Sequence, residues 1–162
     1  MVKKLAIFFI VLTFCQCMMW EPLRFEKQEN RSNKLKLDGY YYTRFLNSNA
    51  NQVIFLYSNG VIYQVIDNSD YLSVIENSIK SNAYAREDKG NPIEWGAYII
   101  KGDSIYIDRW IVGGGTGDKP REYGVGIILN DTTFTNSGFS GSGLFRFRHF
   151  SIKPDSTNRF VK

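Results

Sequence analysis

The sequence predicts a mainly β protein: an antiparallel up-and-down β-barrel of about eight strands with one short α-helix. From Asp38 onward, short apolar runs with alternating polar positions are separated by turn residues, as in the strands of barrels and sandwiches. Three pairs of these runs are spaced as hairpins. The 148 residues after residue 14 are enough for one domain with its own core.

The hairpins are predicted from their turn residues. In residues 52–66, two apolar runs are joined by Asn59-Gly60, a dipeptide that tolerates the positive φ angles of a type I′ turn. A second hairpin covers residues 95–112 and turns at residues 101–104. A third turns at Asn130-Asp131, and the last strand is predicted in residues 144–150.

The phase of these strands predicts which side chains share a face. A turn at residues 101–104 sets Ile100 opposite Ile105 and Tyr98 opposite Ile107. In the last strand, apolar rings alternate with arginines. We expect the barrel interior to be lined by Tyr98, Ile100, Ile105, Ile107, Phe145 and Phe147. The opposite face of the second hairpin would present Trp95, Tyr106 and Trp110.

One segment departs from the β pattern. Residues 69–84 place Leu72, Ile75 and Ile79 on one side of a helix, with Ser69 or Asp70 as the N-cap. We expect this short amphipathic helix to lie across the outside or one end of the barrel.

The N-terminus predicts export and anchoring. Lys3 and Lys4 precede an apolar run over residues 5–14, which suits a signal peptide and is too short for a membrane-spanning helix. Cysteine stands where a cleavage site would be expected, as in bacterial lipoproteins. The predicted lipid carrier is Cys15, because Leu12 and Thr13 resemble the start of the motif that precedes an acylated cysteine. Cys17 stays open as the alternative, because Phe14 is large for the position before Cys15.

These features divide the chain into three predicted parts. Residues 1–14 are a lipoprotein signal peptide, residues 15–37 are the acylated cysteine and a tether, and residues 38–162 are the barrel domain. The predicted location is the bacterial cell envelope, with the protein lipid-anchored on the periplasmic or outer-membrane face. The membrane is therefore the expected partner, through the N-terminal lipid.

Charge gives no support for nucleic-acid binding. Loss of Lys3 and Lys4 with the signal lowers the formal net charge from +4 to +2. The remaining basic residues are scattered among acids and form no basic stripe. We therefore expect no nucleic-acid partner, and the sequence names no protein partner.

No catalytic or metal-binding pattern is found. The single histidine, His149, is in phase with Phe145 and Phe147, and we expect its ring to pack in the core. One histidine and two signal-proximal cysteines do not make a zinc site. We predict no enzyme, no metal and no cofactor. A paired-carboxylate hydrolase stays open, since distant strands can meet, with acids at Glu94, Asp103, Asp108, Glu122 and Asp131.

The C-terminal stretch around "KPDSTN", residues 153–158, has two interpretations. Its oxygens could gather round a ligand or cation at the barrel mouth. Alternatively, Asp155 and Ser156 bond nearby backbone amides and Phe160 packs back on the barrel, which we favour. Such a terminus would be fixed in place by its own hydrogen bonds.

The segments "LDGYYY", "FLYSNGVIY", "WGAYIIKGDSIYID", "DTTF" and "FRFRHFSIKPDSTN" carry a family resemblance. Together they cover roughly residues 38–160, and they resemble a group of small, largely uncharacterised lipoproteins of Bacteroidetes with lipocalin-like barrels. The resemblance implies a lipocalin-like fold and a cell-envelope location. It supplies no catalytic residue.

Two functions from different classes follow. The first is a lipid-anchored envelope protein whose lipocalin-like barrel binds a small apolar ligand at one end. The alternative is a solid-cored protein-interaction or inhibitor module that presents Trp95, Tyr106 and Trp110 with the glycine-rich residues 113–117. A contiguous exposed aromatic patch would favour the second hypothesis.

Overall fold

The fold is taken from a computed structural model, which describes residues 22–45, 49–81, 92–111, 121–138 and 143–162. Within these ranges the chain forms eight β-strands, one α-helix and one short 3-10 turn. In chain order they are β1 Gly39–Arg44, β2 Asn51–Leu56, β3 Val61–Asp67, α1 Leu72–Lys80, the 3-10 turn Pro92–Glu94, β4 Trp95–Lys101, β5 Ser104–Trp110, β6 Arg121–Asn130, β7 Thr133–Asn136 and β8 Gly143–His149.

The eight strands form a closed antiparallel barrel. Each strand pairs with the next along the chain, and β1 closes the barrel by pairing with β8, with Tyr41 opposite Phe147. Closure gives every strand two neighbours, so no sheet edge is left unpaired. The predicted up-and-down barrel with one short helix is confirmed, and its architecture is consistent with a lipocalin-like fold.

The predicted register of the β4–β5 hairpin is confirmed. Ile100 lies opposite Ile105, and Tyr98 lies opposite Ile107. The β6–β7 turn falls one residue later than predicted, at residues 131–132, because Asn130 pairs with Thr133. The Asn130 side chain accepts a hydrogen bond from the Thr132 backbone N–H at 2.9 Å, which stabilises this turn.

The β2–β3 turn has three loop residues instead of the predicted two. The Tyr57 N–H donates to the Val61 carbonyl at 3.0 Å, and the Gly60 N–H donates back to the Tyr57 carbonyl at 3.0 Å. Gly60 takes a φ of +78°, the left-handed conformation that a three-residue hairpin loop places at its last position. The Gln28 backbone crosses directly over this glycine.

Alternation along the strands separates two apolar clusters. The interior cluster receives side chains from every strand, so it fills the inside of the barrel. In β2, for example, Ile54 and Leu56 face inward, whereas Val53 and Phe55 face outward. Its buried members are Leu35, Tyr41, Ile54, Leu56, Ile62, Tyr98, Ile105, Ile107, Phe134 and Phe145.

The outer cluster covers the outside of β1 to β5. It is closed by α1, through Ile75 and Ile79, and by residues from both chain ends. The helix begins at Leu72 after Tyr71, which has no side-chain cap, so the predicted Ser69 or Asp70 N-cap is wrong. Its predicted position on the outside of the barrel is confirmed, because its apolar face packs against outward side chains of the strands.

The segment predicted as a tether is folded in its described part, residues 22–37. Leu35 is 3 % exposed within the interior cluster, and Leu23 and Phe25 pack on the outer cluster. The Asn30 N–H donates to the Ser58 carbonyl at 2.6 Å. The boundary predicted at residue 38 is therefore wrong, because apolar residues in a charged, aperiodic segment find places on the finished barrel.

The C-terminal segment is fixed by its own hydrogen bonds. Asp155 accepts from the Thr157 N–H at 3.0 Å, and Asn158 accepts from the Val161 N–H at 2.8 Å. The Tyr57 hydroxyl donates to the Pro154 carbonyl at 2.8 Å, and Phe160 packs on the outer cluster. The favoured local interpretation is confirmed for Asp155 and Phe160. It is wrong for Ser156, whose hydroxyl accepts from Asn59 Nδ2 at 3.2 Å and not from a nearby backbone amide.

The two ends of the barrel differ. At the closed end, the short turns at residues 57–60, 102–103 and 131–132 are covered by residues 30–37, and the Lys36 N–H donates to the Asp131 carbonyl at 3.0 Å. The opposite end is named the open end, because its connections span more residues. They comprise residues 45–50, 68–94, 111–120 and 137–142.

The predicted signal peptide, Cys15 and Cys17 lie outside the described residues, as do residues 113–117. Across the described ranges, no helix has the length and apolar character needed to cross a membrane.

Candidate functional site

Polar side chains face the interior in the open half of the barrel. In β2, Gln52 faces inward like Ile54, and in β3 Gln64 faces inward like Ile62. In β5, Arg109 faces inward like Ile107. On the neighbouring strand, Glu122 is opposite Arg109 in the register. These four residues are named the inner polar cluster. They replace the apolar filling of the closed half with hydrogen-bonding groups.

An ion pair forms one side of the inner polar cluster. Arg109 Nε donates to Glu122 Oε2 at 3.0 Å, and Nη2 donates to the same oxygen. The two side chains are 4 % and 13 % exposed. Burial lowers the pKa of the Arg109 guanidinium, and the charge of Glu122 opposes that shift. The pair therefore places two opposite charges in a largely dry interior.

Two glutamines extend the cluster across the barrel. Gln64 Oε1 accepts from Arg109 Nη1 and from Gln52 Nε2, the latter at 2.9 Å. Gly96 pairs with Arg109 across β4 and β5, and a Cβ at this glycine would lie 2.8 Å from the Arg109 Cβ. The missing side chain gives the arginine room to reach towards β3.

Part of the hydrogen-bonding capacity at this end is unused by the protein. Gln52 Oε1 is buried and accepts no hydrogen bond from the part of the chain that the structure describes. Asn136 is 5 % exposed, and neither its Nδ2 nor its Oδ1 has a partner there. Asn136 follows Phe134 on the inward phase of β7 and pairs with Gly143 of β8. These are buried polar atoms that the described part of the protein leaves without a hydrogen-bond partner.

The six predicted lining residues do lie together in or against the interior cluster. Tyr98, Ile105, Ile107 and Phe145 are at most 1 % exposed, while Ile100 and Phe147 are partly buried. Phe145 stacks on Phe134, with ring centroids 4.9 Å apart. These side chains contact one another and form a packed core.

The Tyr98 hydroxyl is already used by the protein. It donates to the Tyr57 carbonyl at 2.8 Å and accepts from Asn30 Nδ2 at 3.0 Å. Burial raises the pKa of Tyr98, while its hydrogen bond from Asn30 opposes the shift. The closed half of the barrel is therefore occupied by the protein's own groups.

The predicted surface patch is wrong for its two tryptophans. Trp95 and Trp110 are 2 % and 4 % exposed and belong to the outer cluster that α1 and the chain ends cover. The second hairpin does turn this face outward, but no local pattern predicted that α1 and the terminal segments would cover it. Tyr106 is partly exposed, and its ring lies 6.5 Å from that of Tyr123.

Basic side chains lie beside at least four of the five acids considered for hydrolysis. Asp103 bonds Lys34, Asp131 lies 3.4 Å from Lys36, and Asp108 lies 3.7 Å from Arg121. Glu122 bonds Arg109, as described above. Glu94 ends the 3-10 turn before β4. Over the described residues, no group of three His, Cys, Asp or Glu side chains could hold a metal ion.

His149 does not pack in the core as predicted. Its side chain is 69 % exposed, and Nδ1 lies 3.1 Å from Asp38 Oδ2. The residue keeps the inward phase of β8, but the strand ends here at the closed rim, beyond the packed interior.

A groove also forms on the outside, where the two chain ends meet. Its volume is about 340 Å³, and its walls include Leu23, Phe25, Trp110 and Phe160, with Arg159 and Lys162 at its edge. Trp110 and Phe160 make an edge contact at 6.4 Å. The lining also includes Glu26, so the groove is mainly apolar with charged side chains of both signs.

The sequence contained a signal for the inner polar cluster that the prediction did not use. Gln52, Gln64 and Arg109 each occupy an inward position in a strand whose other inward residues are apolar. A polar residue in that phase is uncommon in a core, because burial of a polar group requires a partner. Asn136 had no such signal, since β7 is only four residues long.

Comparison with known proteins gives no match: no family model fits this chain, and no curated protein or solved structure is significantly similar. The fold and the inner polar cluster therefore carry the functional argument. An eight-stranded barrel with a polar open half fits the architecture of a binding protein.

Proposed function

We propose that this chain is a lipid-anchored binding protein of the bacterial cell envelope, with a small ligand held in the open half of the barrel. The observation that carries the proposal is the inner polar cluster of Gln52, Gln64, Arg109 and Glu122. Barrels of this size fill their interior with side chains or hold one small ligand. A polar lining is expected where a ligand must be oriented.

Stability alone is a weak reason for such a cluster. A buried ion pair is often no more stabilising than well-packed apolar residues of similar volume. Arg109 and Glu122 nevertheless occupy inward positions that isoleucine and valine would fill readily in this fold. The cluster also lies at the end of the barrel where the connections between strands span more residues. Its position fits recognition better than it fits packing.

The location of the cluster changes the expected ligand. The side chains predicted to line an apolar pocket fill the closed half themselves, with Ile105 and Phe145 fully buried. A ligand in the open half would rest on this apolar layer and meet Arg109 and Gln64 above it. We therefore propose a small ligand with polar groups, in place of a wholly apolar one.

The anchor part of the proposal rests on the N-terminal sequence. Cys15, or alternatively Cys17, would carry the lipid, because cysteine stands at the end of the apolar run where a cleavage site is expected. The folded unit already includes Leu23. The seven intervening residues reach at most about 25 Å when fully extended. The barrel would then lie close to the membrane surface.

Native mass spectrometry of the protein purified from its own membrane tests both parts. An acylated cysteine adds covalent mass that Cys15→Ser or Cys17→Ser removes. A retained ligand adds mass that is lost on collisional activation. An unmodified N-terminus would contradict the anchor, and a barrel that retains no molecule from its native membrane would contradict the ligand.

A protein-interaction module is the second candidate, and one observation favours it. The groove at Trp110 and Phe160 is mainly apolar, which suits an apolar segment of a partner protein. Phe160→Ala should weaken capture of an envelope partner by cross-linking. The double variant Arg109→Met with Glu122→Leu, which removes both buried charges, should not. Loss of capture in the double variant, with capture retained in Phe160→Ala, would favour binding at the barrel interior.

A further inference from the structure

The unused groups of Asn136 point to the class of ligand, and this inference rests on the proposed binding function. The carboxamide offers one donor and one acceptor, side by side, and both are without partners across the described part of the chain. Leaving such groups unsatisfied in a buried place is costly. The geometry points to a ligand that satisfies both at once.

We propose that the open half of the barrel binds a planar, neutral heterocycle with an N–H donor and a carbonyl acceptor adjacent on one edge. A carboxamide pairs with such an edge through two parallel hydrogen bonds, as asparagine does with the edge of a nucleobase. In a cyclic amide the N–H and the carbonyl are held cis, so both face the same partner. An open-chain secondary amide is trans and presents only one of them.

The charge of the site favours a neutral ligand. The cation of Arg109 is matched by Glu122 through two hydrogen bonds. An anionic ligand would therefore have to compete with a carboxylate that already holds the guanidinium. A hydrocarbon would bury Asn136 without satisfying it, at a cost in binding.

The surroundings of Asn136 favour a flat ring. Phe134 lies two residues earlier on the same face of β7, and it stacks on Phe145 with the two rings 4° from parallel. Planar rings pack well against such an aromatic layer. Gly143, opposite Asn136, has no side chain that could compete with a ring for this face. A further acceptor, Gln52 Oε1, faces the same interior.

Uracil is the probe, because it is planar and neutral and carries cis-amide edges. 1,3-Dimethyluracil is the matched control ligand, with the same ring and no N–H donor. The full chain would be titrated by calorimetry, and the Asn136 side-chain amide followed in ¹H–¹⁵N spectra. Uracil should bind and shift that amide signal, and dimethyluracil should bind at least about tenfold more weakly.

Asn136→Leu keeps the side-chain size and should weaken uracil binding at least about tenfold. Thr135→Val on the outward face of the same strand should leave binding unchanged. If the leucine variant does not fold, Asn136→Asp removes the donor and should weaken binding as well. Equal binding of the two ligands, or binding unaffected by either Asn136 variant, would overturn the inference.

The experiments distinguish failure of the heterocycle proposal from failure of the proposed binding function. A barrel that retains a native ligand of another class, or binds decanoate but no uracil, keeps the binding function and loses the heterocycle. A protein that retains no native molecule and binds neither probe loses both. In that case Asn136 is a structural residue only.

Discussion

Arg109 and Glu122 lie directly opposite each other in the register of β5 and β6, and two guanidinium nitrogens share one carboxylate oxygen. Both side chains face the inside of the barrel, and neither is more than 13 % exposed. Charged residues are rarely this buried unless they are paired. The pair therefore favours one register between β5 and β6, and it makes the open half of the barrel polar.

The first prediction concerns this pair. Glu122→Gln leaves the Arg109 charge buried without its counter-charge and should lower the free energy of unfolding by about 3–5 kcal/mol. The double variant Arg109→Met with Glu122→Leu should lie within about 1 kcal/mol of the natural protein, because apolar groups replace both charges. Urea unfolding measures both. A double variant as unstable as the single one would contradict this explanation.

The second prediction tests the docking of the N-terminal segment. Gly60 and Gly102 both have positive φ, +78° and +58°. A Cβ at Gly60 would collide with the Gln28 carbonyl oxygen, whereas a Cβ at Gly102 would have nothing within 4 Å. Gly102→Ala should cost about 1–2 kcal/mol for backbone strain alone.

Gly60→Ala carries the same backbone strain and must also displace Gln28. It should therefore be the more destabilising of the two, and limited proteolysis should cleave residues 22–32 faster in this variant. Equal stability of the two variants would mean that the segment does not pack on the β2–β3 turn.

The third prediction concerns the cover that α1 provides. Ile75 is fully buried in the outer cluster, while Val74 on the same helix is 43 % exposed. Ile75→Ala should lower the free energy of unfolding by about 2–5 kcal/mol through lost burial and the cavity left behind. Val74→Ala should change it by less than about 0.5 kcal/mol. Similar effects at both positions would show that the helix does not pack through this face.

The fourth prediction is a pH dependence at the closed end. Lys153 Nζ donates to the Leu56 carbonyl at 2.8 Å and to the Leu37 carbonyl. Burial lowers the pKa of this amine from 10.5 to about 8, partly opposed by the charge of Asp38. Between these two values the unfolded chain holds more protons, so the free energy of unfolding should rise with pH.

Lys153→Met should flatten that rise between pH 8 and 10, as measured by urea unfolding at several pH values. Lys101→Met, at an exposed position of the β4–β5 turn, should keep it. An unchanged slope in the Lys153 variant would show that its amine is not shielded from water in the folded protein.

The alternation of side chains along the strands was enough to predict most of the fold. The pairing of Tyr98 with Ile107 followed from the position of a turn alone, because side chains alternate with a fixed period of two. The helix was predicted from the spacing of Ile75 and Ile79 for a similar reason. Local patterns of this kind need no knowledge of distant parts of the chain.

The alternation along a strand could not predict which other segments cover the outward face of the barrel. Trp95 and Trp110 point out of the barrel, as predicted, and become buried because α1 and both chain ends pack over them. Leu23, Phe25 and Leu35 come from a segment without periodicity, so nothing local predicted their contacts. His149 shows the opposite error, since its phase was inward but its strand ended at the rim.

The sequence alone determined the strand alternation, the turn positions to within a residue and the single amphipathic helix, because each depends on neighbours a few residues apart. Only the tertiary structure decided that Gln52, Gln64, Arg109 and Glu122 meet. These residues lie on four strands, and closure of the barrel sets their distances. The chain ends likewise became part of the domain only because a completed barrel offers them an apolar surface.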